Sequence, residues 1–257
     1  MRRTKRLRYG PERCQFGVLY ESRSSHAVDC VIVLVHGGFW RWPFNRWVTS
    51  LLARDAARRG YTVFNIEYRC LGRFGGGGGW PQTFDDVADA LMFVSDRFEG
   101  ARLVLAGHSA GGHLALVTAA RFGERVDGVV SICAPTDLRV LSENGSEPVD
   151  ALVAGTPLQD RWSLTSPIEM VPTGVPTVCV HGDADTTIRP DMSIRYVEAA
   201  VDAGDDAELV LVAGEGHRAA LLPRSKTWQS ALACVDAWRA DCGSVSRSTR
   251  RMTMDGE

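Results

Sequence analysis

The apolar residues of this chain form short unbroken runs, separated by longer segments in which apolar positions recur every three or four residues. The runs lie at 30–36, 61–68, 102–108, 128–134, 176–182 and 207–214. Their apolar residues do not alternate with polar ones, which predicts strands buried on both faces of a parallel sheet. A further segment at 14–22 is predicted to add an antiparallel edge strand.

Helical spacing fills the intervals between these runs, at 46–59, 84–98, 111–122, 191–203 and 226–240. Alternating strands and helices favour an α/β fold with a mostly parallel central sheet and helices on both faces. One domain is predicted over 14–242, with a short cap or insertion around 135–174, where Pro, Ser, Thr and Asp are frequent. Residues 1–13 are predicted to be a basic flexible arm, and residues 243–257 a disordered tail.

Composition narrows the classes of function. The chain has 257 residues, of which 45% are apolar, and a formal net charge of −2. This small charge gives no reason to expect nucleic acid or an acidic membrane as a partner. No segment approaches the roughly 18 apolar residues of a membrane span, and no apolar signal-peptide core follows the N-terminal arginines. We therefore expect a cytoplasmic protein without a membrane partner.

The cysteines and glycines give no sign of a metal or a nucleotide cofactor. The seven cysteines are odd in number and far apart, without a C-x-x-C pair, which argues against a disulfide framework and a zinc site. The five glycines at 75–79 lack the G-x-G-x-x-G spacing and the lysine of a P-loop. We expect no cofactor and no metal. The partner should be a small-molecule substrate, and exposed apolar loops are compatible with a homodimer.

The segment "AGHSAGGHLAL" carries the strongest chemical signal. It sets Gly107-His108-Ser109-Ala110-Gly111 between a predicted strand and a predicted helix. This is G-x-S-x-G in the context that makes it a nucleophile elbow, in which small neighbours let a strained turn hold the serine oxygen clear of the sheet. Ser109 is the predicted nucleophile. His113, one helical turn further on, is predicted to be a packing or hydrogen-bonding residue.

A serine hydroxyl needs a general base, and the base needs an orienting acid. On a fold with this elbow the chain order is serine, acid, histidine, which leaves His181 and His217. His181 directly ends a strand and has no candidate acid at a strand end before it, whereas His217 lies in a loop just past the last predicted strand. His217 is therefore the predicted base. Asp183 and Asp185 are both candidates for the acid, and spacing alone does not separate them.

The segment "VLVHGGFWRWP" supplies a second part of the predicted site. Acyl transfer builds negative charge on a carbonyl oxygen, which backbone N–H groups stabilise. We predict such an oxyanion hole from the amides of Ala110, Gly38 and Phe39, with His36 as an anchor of the loop. Apolar and aromatic side chains beside the hole should line the substrate pocket. The predicted substrate-binding residues are Trp40, Trp42, Trp80 and His108.

Four segments, "HGGFW", "GHSAGGHLA", "HGDADTTI" and "GEGH", together resemble the α/β-hydrolase superfamily. The resemblance covers about residues 30–238 and is to the branch that contains hormone-sensitive-lipase-like carboxylesterases and kynurenine formamidases (arylformamidases). Lipase-like esterases usually carry a third glycine where this sequence has Phe39, while formamidases show an aromatic residue and then Trp, as in Phe39-Trp40. In the family pattern H-G-x-x-D-x-x-[VI] the acid falls on Asp185, with Ile188 in the apolar place.

The resemblance implies a serine hydrolase that cleaves a small carboxylic ester or amide through an acyl-enzyme. The short cap implies a rather open pocket, which argues against long-chain lipid substrates. One alternative is an acyltransferase or peptidase that uses the same triad. A second is a non-catalytic ligand-binding protein on the hydrolase scaffold, which the filled Ser109, Asp185 and His217 positions disfavour.

Overall fold

A computed structural model describes residues 4–22 and 28–240, and within them one sheet of eight strands. The strands are Thr4–Arg8 (β1), Phe16–Tyr20 (β2), Cys30–Val35 (β3), Thr62–Ile66 (β4), Arg102–His108 (β5), Gly128–Ile132 (β6), Thr177–Gly182 (β7) and Ala207–Val212 (β8). Their order across the sheet is β1-β2-β4-β3-β5-β6-β7-β8. The β1–β2 and β2–β4 pairs are antiparallel, and all the others are parallel. The predicted mostly parallel α/β sheet is confirmed.

Helices follow most of the parallel strands. Over the same described residues they are Ser50–Arg58 (α1), Gln82–Arg97 (α2), Ala110–Phe122 (α3), Leu138–Glu143 (α4), Glu147–Val153 (α5), Arg161–Thr165 (α6), Asp191–Asp202 (α7) and Lys226–Ala240 (α8). Short 3-10 turns occur at Arg46–Thr49, Gly123–Arg125, Leu158–Asp160, Pro167–Glu169 and Ala219–Leu221. The segment predicted as a cap, 135–174, contains the three short helices α4, α5 and α6.

The alternating side chains of β3 show how the sheet is covered on both faces. Val31, Val33 and Val35 join a core cluster with residues of α2, α3 and α7. Ile32 and Leu34 point the other way and join a second cluster with α1 and α8. Because every side chain of β3 is buried, the strand reads as a continuous apolar run, as expected for a parallel sheet with two covered faces.

Two predictions about the sheet edges are wrong. Thr4–Arg8 is not a flexible arm but strand β1, which pairs with β2 and leaves four of its five residues exposed. Backbone pairing, and not burial of side chains, therefore holds it, and this is why a polar segment can be a strand. At the opposite edge, β8 is only partly buried and not buried on both faces as predicted, because among the described residues it pairs with a strand on one side only. The predicted tail at 243–257 lies outside the described residues.

The sheet brings the candidate chemistry to one edge. Parallel strands end at the same side of a sheet, and ligand sites of such folds lie beyond their carboxyl ends. His36 follows β3, Ser109 follows β5, and Asp185 comes shortly after β7. No helix within residues 4–22 and 28–240 is long and apolar enough to cross a membrane.

Candidate active site

Ser109 lies at a tight turn between β5 and α3. Its backbone has φ 56° and ψ −123°, a conformation that L-residues rarely adopt, at a typical cost of about 1–3 kcal/mol. The turn is held because the Ser109 N–H donates to the Ile132 carbonyl at 2.8 Å. A methyl group on Gly107 would lie 2.3 Å from the backbone of Gly111, so the elbow closes only with glycine there. The first part of the site thus has the geometry that its motif predicts.

His217 and Asp185 form a hydrogen-bonded pair. The distance from His217 Nδ1 to Asp185 Oδ2 is 2.7 Å, and the side chain of Asp185 is fully buried while that of His217 is 12% exposed. Asp183 instead accepts a hydrogen bond from the Gly214 N–H at 2.7 Å and lies at the surface. Of the two candidate acids, Asp185 is therefore the one in contact with the histidine.

The environment of Asp185 favours its ionised form. Burial alone would raise the pKa of this carboxyl, but hydrogen bonds from His181 and His217 and from the Ile188 N–H outweigh that effect. The pKa is held well below its usual range, so the carboxylate is charged at neutral pH. The Thr187 N–H also donates to Oδ1, at 2.8 Å. Backbone hydrogen bonds to Oδ1 thus hold the charged carboxylate in position, and its Oδ2 faces His217.

Two further neighbours of Asp185 were not predicted from the sequence. His181 Nε2 lies 3.3 Å from Asp185 Oδ2 and 2.9 Å from the Ile188 carbonyl. The thiol of Cys133, which follows β6 at φ 50°, lies within 4.8 Å of the ligand atoms of His181 and Asp185. Burial raises the pKa of Cys133 to about 12, so the thiol remains a proton donor. The H-G-x-x-D spacing, in which His181 and Asp185 are four residues apart, is the sequence feature that indicates the contact between His181 and Asp185.

His108 supports the loop of His217 and offers no exposed surface to a substrate. It is 3% exposed, and its Nε2 lies 2.9 Å from the His217 carbonyl. The two imidazole rings are 4.7 Å apart between centroids, which brings His217 beside the residue preceding Ser109. Burial lowers the pKa of His108 to about 3, so the ring is neutral. The prediction of His108 as a substrate-binding residue is corrected to a support for the His217 loop.

The loop after β3 packs directly on the serine turn. A methyl group on Gly37 would lie 2.6 Å from the His108 carbonyl and 3.0 Å from Ser109 Cβ. Gly38, Phe39 and Trp40 all have positive φ, at 119°, 55° and 55°. Non-glycine residues pay about 1–2 kcal/mol for such a conformation. We call residues 37–42 the oxyanion loop, after the role that the sequence predicts for the amides of Gly38 and Phe39.

His36 anchors the start of this loop. Its Nδ1 donates to the Gly37 carbonyl at 2.9 Å, and its Nε2 lies 3.0 Å from Glu67 Oε1. The ring stacks on Tyr68 with centroids 4.2 Å apart, and the Tyr68 hydroxyl donates to the His36 carbonyl at 2.8 Å. These contacts fix the peptide between Gly37 and Gly38, and with it the direction of the Gly38 N–H.

The three predicted substrate-binding tryptophans differ in exposure. Trp40 is 3% exposed, and its indole N–H donates to His113 Nδ1 at 3.2 Å, so it is a packing residue and its prediction as a pocket wall is corrected. Trp42 is 52% exposed and packs edge-on against Phe74 at 5.2 Å. Trp80 is half-buried against Phe84 at 4.9 Å. Trp42 and Trp80 therefore retain surface that a ligand can reach.

Several histidines, cysteines and carboxylates lie close enough together to be considered as metal ligands. Among the described residues three such groups have ligand atoms within 4.8 Å: His108/Cys133/His217, His36/Glu67/Cys70 and Cys133/His181/Asp185. Each contains a cysteine whose pKa burial raises, and a metal binds the thiolate rather than the thiol. In each group the histidines also hydrogen-bond protein atoms. The donor sets fit a hydrogen-bonded network better than a metal centre.

The sheet order, the strained serine between β5 and α3, and the acid–histidine pair beyond β7 and β8 together define an α/β-hydrolase fold. The BD-FAE family model matches residues 18–199. The chain belongs to the BD-FAE family.

Three known proteins illustrate its similarities. Kynurenine formamidase of Drosophila melanogaster is 26% identical over 231 residues, which cover 82% of this chain and 73% of that protein. A truncated carbohydrate esterase from gut microbiota superposes with a TM-score of 0.80 at 19% identity, covering 93% and 96% of the two chains. Brefeldin A esterase, a bacterial homologue of human hormone-sensitive lipase, superposes with a TM-score of 0.77 at 20% identity, covering 94% and 76%. The predicted branch of the superfamily is confirmed.

Proposed function

We propose that this protein is a serine hydrolase that cleaves a small carboxylic ester or amide through an acyl-enzyme. Ser109 is the nucleophile, His217 the general base and acid, and Asp185 the group that orients His217. The amides of Ala110, Gly38 and Phe39 form the oxyanion hole. No cofactor or metal takes part in this scheme, and the partner is a small-molecule substrate.

One observation carries the proposal. A strained serine turn, a buried carboxylate 2.7 Å from a partly exposed histidine, and a glycine loop in contact with the serine all meet at one edge of the sheet. A fold that needed only stability would not combine the positive-φ backbones of Phe39, Trp40 and Ser109 with a buried carboxylate beside a histidine at one place. These are the parts that acyl transfer requires.

The proposed reaction follows from the arrangement of these groups. The Asp185 carboxylate accepts a hydrogen bond from the His217 Nδ1–H, so the lone pair of Nε2 is free to take the proton of the Ser109 hydroxyl. Oγ attacks the substrate carbonyl, and the oxyanion-hole amides stabilise the negative charge on its oxygen. His217 then donates its proton to the leaving alcohol or amine as the C–O or C–N bond breaks. A water molecule, deprotonated by His217, hydrolyses the acyl-enzyme and returns Ser109 to its hydroxyl form.

The residues around the site support a substrate with an apolar or aromatic group. Phe39, Trp42, Phe44 and Phe74 are each more than 40% exposed, and Phe39 and Phe44 have ring centroids 6.4 Å apart. Aromatic side chains at such a surface favour flat apolar ligands. Together with the similarity to a kynurenine formamidase, this makes N-formylkynurenine the first substrate to test, and a short nitrophenyl ester the second.

The test is hydrolysis of both compounds by the purified protein and by its Ser109→Ala variant. We expect the wild type to cleave at least one of them and the variant to show no turnover above the uncatalysed rate, with an unchanged circular dichroism spectrum. Efficient cleavage of the formamide would extend the proposal to a formamidase, whereas cleavage of the ester alone would limit it to an esterase. Hydrolysis of both at wild-type rates by Ser109→Ala would overturn the proposal.

Two alternatives use the same residues differently. An acyltransferase would pass the acyl group to an added alcohol or amine, so product partition with and without methanol or glycine amide separates transfer from hydrolysis. A ligand-binding protein on this scaffold would not react with a fluorophosphonate probe. Labelling of Ser109 by that probe would therefore exclude a purely binding role.

A further inference from the structure

A chain of buried side-chain contacts runs from the cap segment to the oxyanion loop through His113. The Trp40 indole N–H donates to His113 Nδ1 at 3.2 Å, and His113 Nε2 lies 2.8 Å from the Thr165 carbonyl at the end of α6. The Trp40 and His113 rings meet edge to face at 5.1 Å and 82°. Since His113 is fully buried, water does not compete for these contacts.

The Thr165 carbonyl determines which nitrogen of His113 carries the proton. A carbonyl can only accept a hydrogen bond, so Nε2 must be the N–H nitrogen and Nδ1 must present a lone pair. An indole N–H can only donate, and the lone pair of Nδ1 is the complement it needs. Burial also lowers the pKa of His113 to about 4, so the neutral ring persists at neutral pH.

Trp40 is the residue through which this contact can affect the oxyanion loop. It is the third of three successive residues at positive φ, Gly38, Phe39 and Trp40. Its backbone carbonyl accepts from the Leu71 N–H at 2.7 Å, and the Leu71 carbonyl accepts from Trp42 at 3.0 Å. The indole is thus a buried side-chain anchor in a strained loop, in addition to the hydrogen bonds that the backbone carbonyls of Gly37, Gly38 and Trp40 accept. Positions of this kind persist only when their surroundings over-determine them.

We propose that His113 is a positioning residue that holds the oxyanion loop in its working conformation through Trp40 and ties that conformation to the cap segment at Thr165. The inference rests on the proposed function, since it concerns the hole that the reaction uses. It predicts that loss of the Trp40–His113 hydrogen bond impairs the stabilisation of the transition state and leaves the binding of the substrate nearly unchanged.

The first test replaces the indole donor. Trp40→Phe should lower kcat for a short nitrophenyl ester by about tenfold to a hundredfold, because small misplacements of catalytic groups have effects of that size, while KM changes by less than about twofold. The affinity for a trifluoromethyl ketone, whose adduct with Ser109 carries an oxyanion, should fall by the same factor as kcat. Trp228→Phe is the matched control. Trp228 is 1% exposed, its indole N–H donates to Asp55 Oδ2 at 3.0 Å between α8 and α1, and it belongs to the core cluster on the other face of the sheet from Trp40.

The second test varies the acceptor. The amide oxygen of His113→Asn can stand near the position of Nδ1 and should keep kcat within about fivefold of the wild type, whereas His113→Leu should lose as much as Trp40→Phe. Folded variants with wild-type kcat for both Trp40→Phe and His113→Leu would overturn the inference, as would an equal loss in Trp228→Phe, which would indicate general destabilisation. If the wild type neither hydrolyses the ester nor reacts with a fluorophosphonate at Ser109, the proposed function itself fails.

Discussion

Replacement of Asp185 by Asn tests the acid–histidine pair most informatively, because the structure determines how the new amide must lie. Asp185 Oδ1 accepts from the backbone N–H groups of Thr187 at 2.8 Å and Ile188 at 3.0 Å. Oδ2 faces His217 Nδ1 at 2.7 Å and His181 Nε2 at 3.3 Å. In the variant the amide oxygen must take the Oδ1 position, since two fixed donors face it. The NH2 group is then directed at His217.

That orientation forces His217 into the unproductive tautomer. Nδ1 must accept from the new NH2 group, so the ring proton moves to Nε2, the nitrogen that should deprotonate Ser109. Loss of the correct tautomer in a triad costs about 10⁴ in kcat, which equals about 5.5 kcal/mol of transition-state stabilisation at 1.36 kcal/mol per tenfold change. Asp183→Asn retains an oxygen for the Gly214 N–H, so we expect a change in kcat of no more than about threefold for a surface polar substitution of this kind.

The assay is steady-state hydrolysis of a short nitrophenyl ester at pH 7.5, with circular dichroism to verify that both variants are folded. A folded Asp185→Asn variant within tenfold of the wild-type kcat would mean that Asp185 does not set the tautomer of His217. A larger loss in Asp183→Asn than in Asp185→Asn would reassign the acid.

Three further outcomes follow from the contacts of the site. Gly37→Ala should abolish activity or prevent folding, because its methyl group would lie 2.6 Å from the His108 carbonyl; soluble, active protein would contradict the packing of the loop on the serine turn. The Tm should fall as the pH drops from about 6.5 towards 4. Burial lowers the pKa of His108 to about 3 and that of His113 to about 4, whereas a histidine of the unfolded chain titrates near 6.5. The unfolded chain therefore binds more protons than the folded protein in that pH range, and acid favours unfolding. His113→Asn should reduce the slope of Tm against pH in thermal melts, and an unchanged slope would argue against a neutral buried His113. Glu67→Gln should lower kcat and change KM little, because it weakens the contact that holds His36. Unchanged esterase kinetics would show that Glu67 does not anchor His36.

Much of the fold could be predicted because its strands carry an unambiguous pattern. The buried strands β3 to β7 are apolar on both faces, and such runs are distinct from helical spacing. β1 could not be predicted, because the sequence Thr-Lys-Arg-Leu-Arg has no apolar pattern and its structure depends on pairing with β2. The short helices α4 and α6, of six and five residues, are similarly too brief to show a period.

The site, like the fold, contains residues that local sequence patterns predict and residues that they do not. The candidate nucleophile Ser109 could be selected from the sequence because the elbow motif is local, and the candidate base His217 because it lies in a loop directly after β8. The sequence places Trp40 and His108 in the pocket, but both are buried by partners that lie 73 and 109 residues away along the chain. A local sequence pattern carries no information about such partners. For the same reason the sequence does not predict Cys133 as a neighbour of Asp185, since the two come close only when β6 and β7 pair.

Covalent labelling with a fluorophosphonate tests whether Ser109 is the nucleophile of the proposed reaction. The purified protein and Ser109→Ala would each be treated with a fluorophosphonate, and the intact mass and the modified peptide would be determined by mass spectrometry. We expect one phosphonyl group per wild-type chain, on the peptide that contains Ser109, and none on the variant. A label on another residue, or equal labelling of Ser109→Ala, would contradict that role of Ser109.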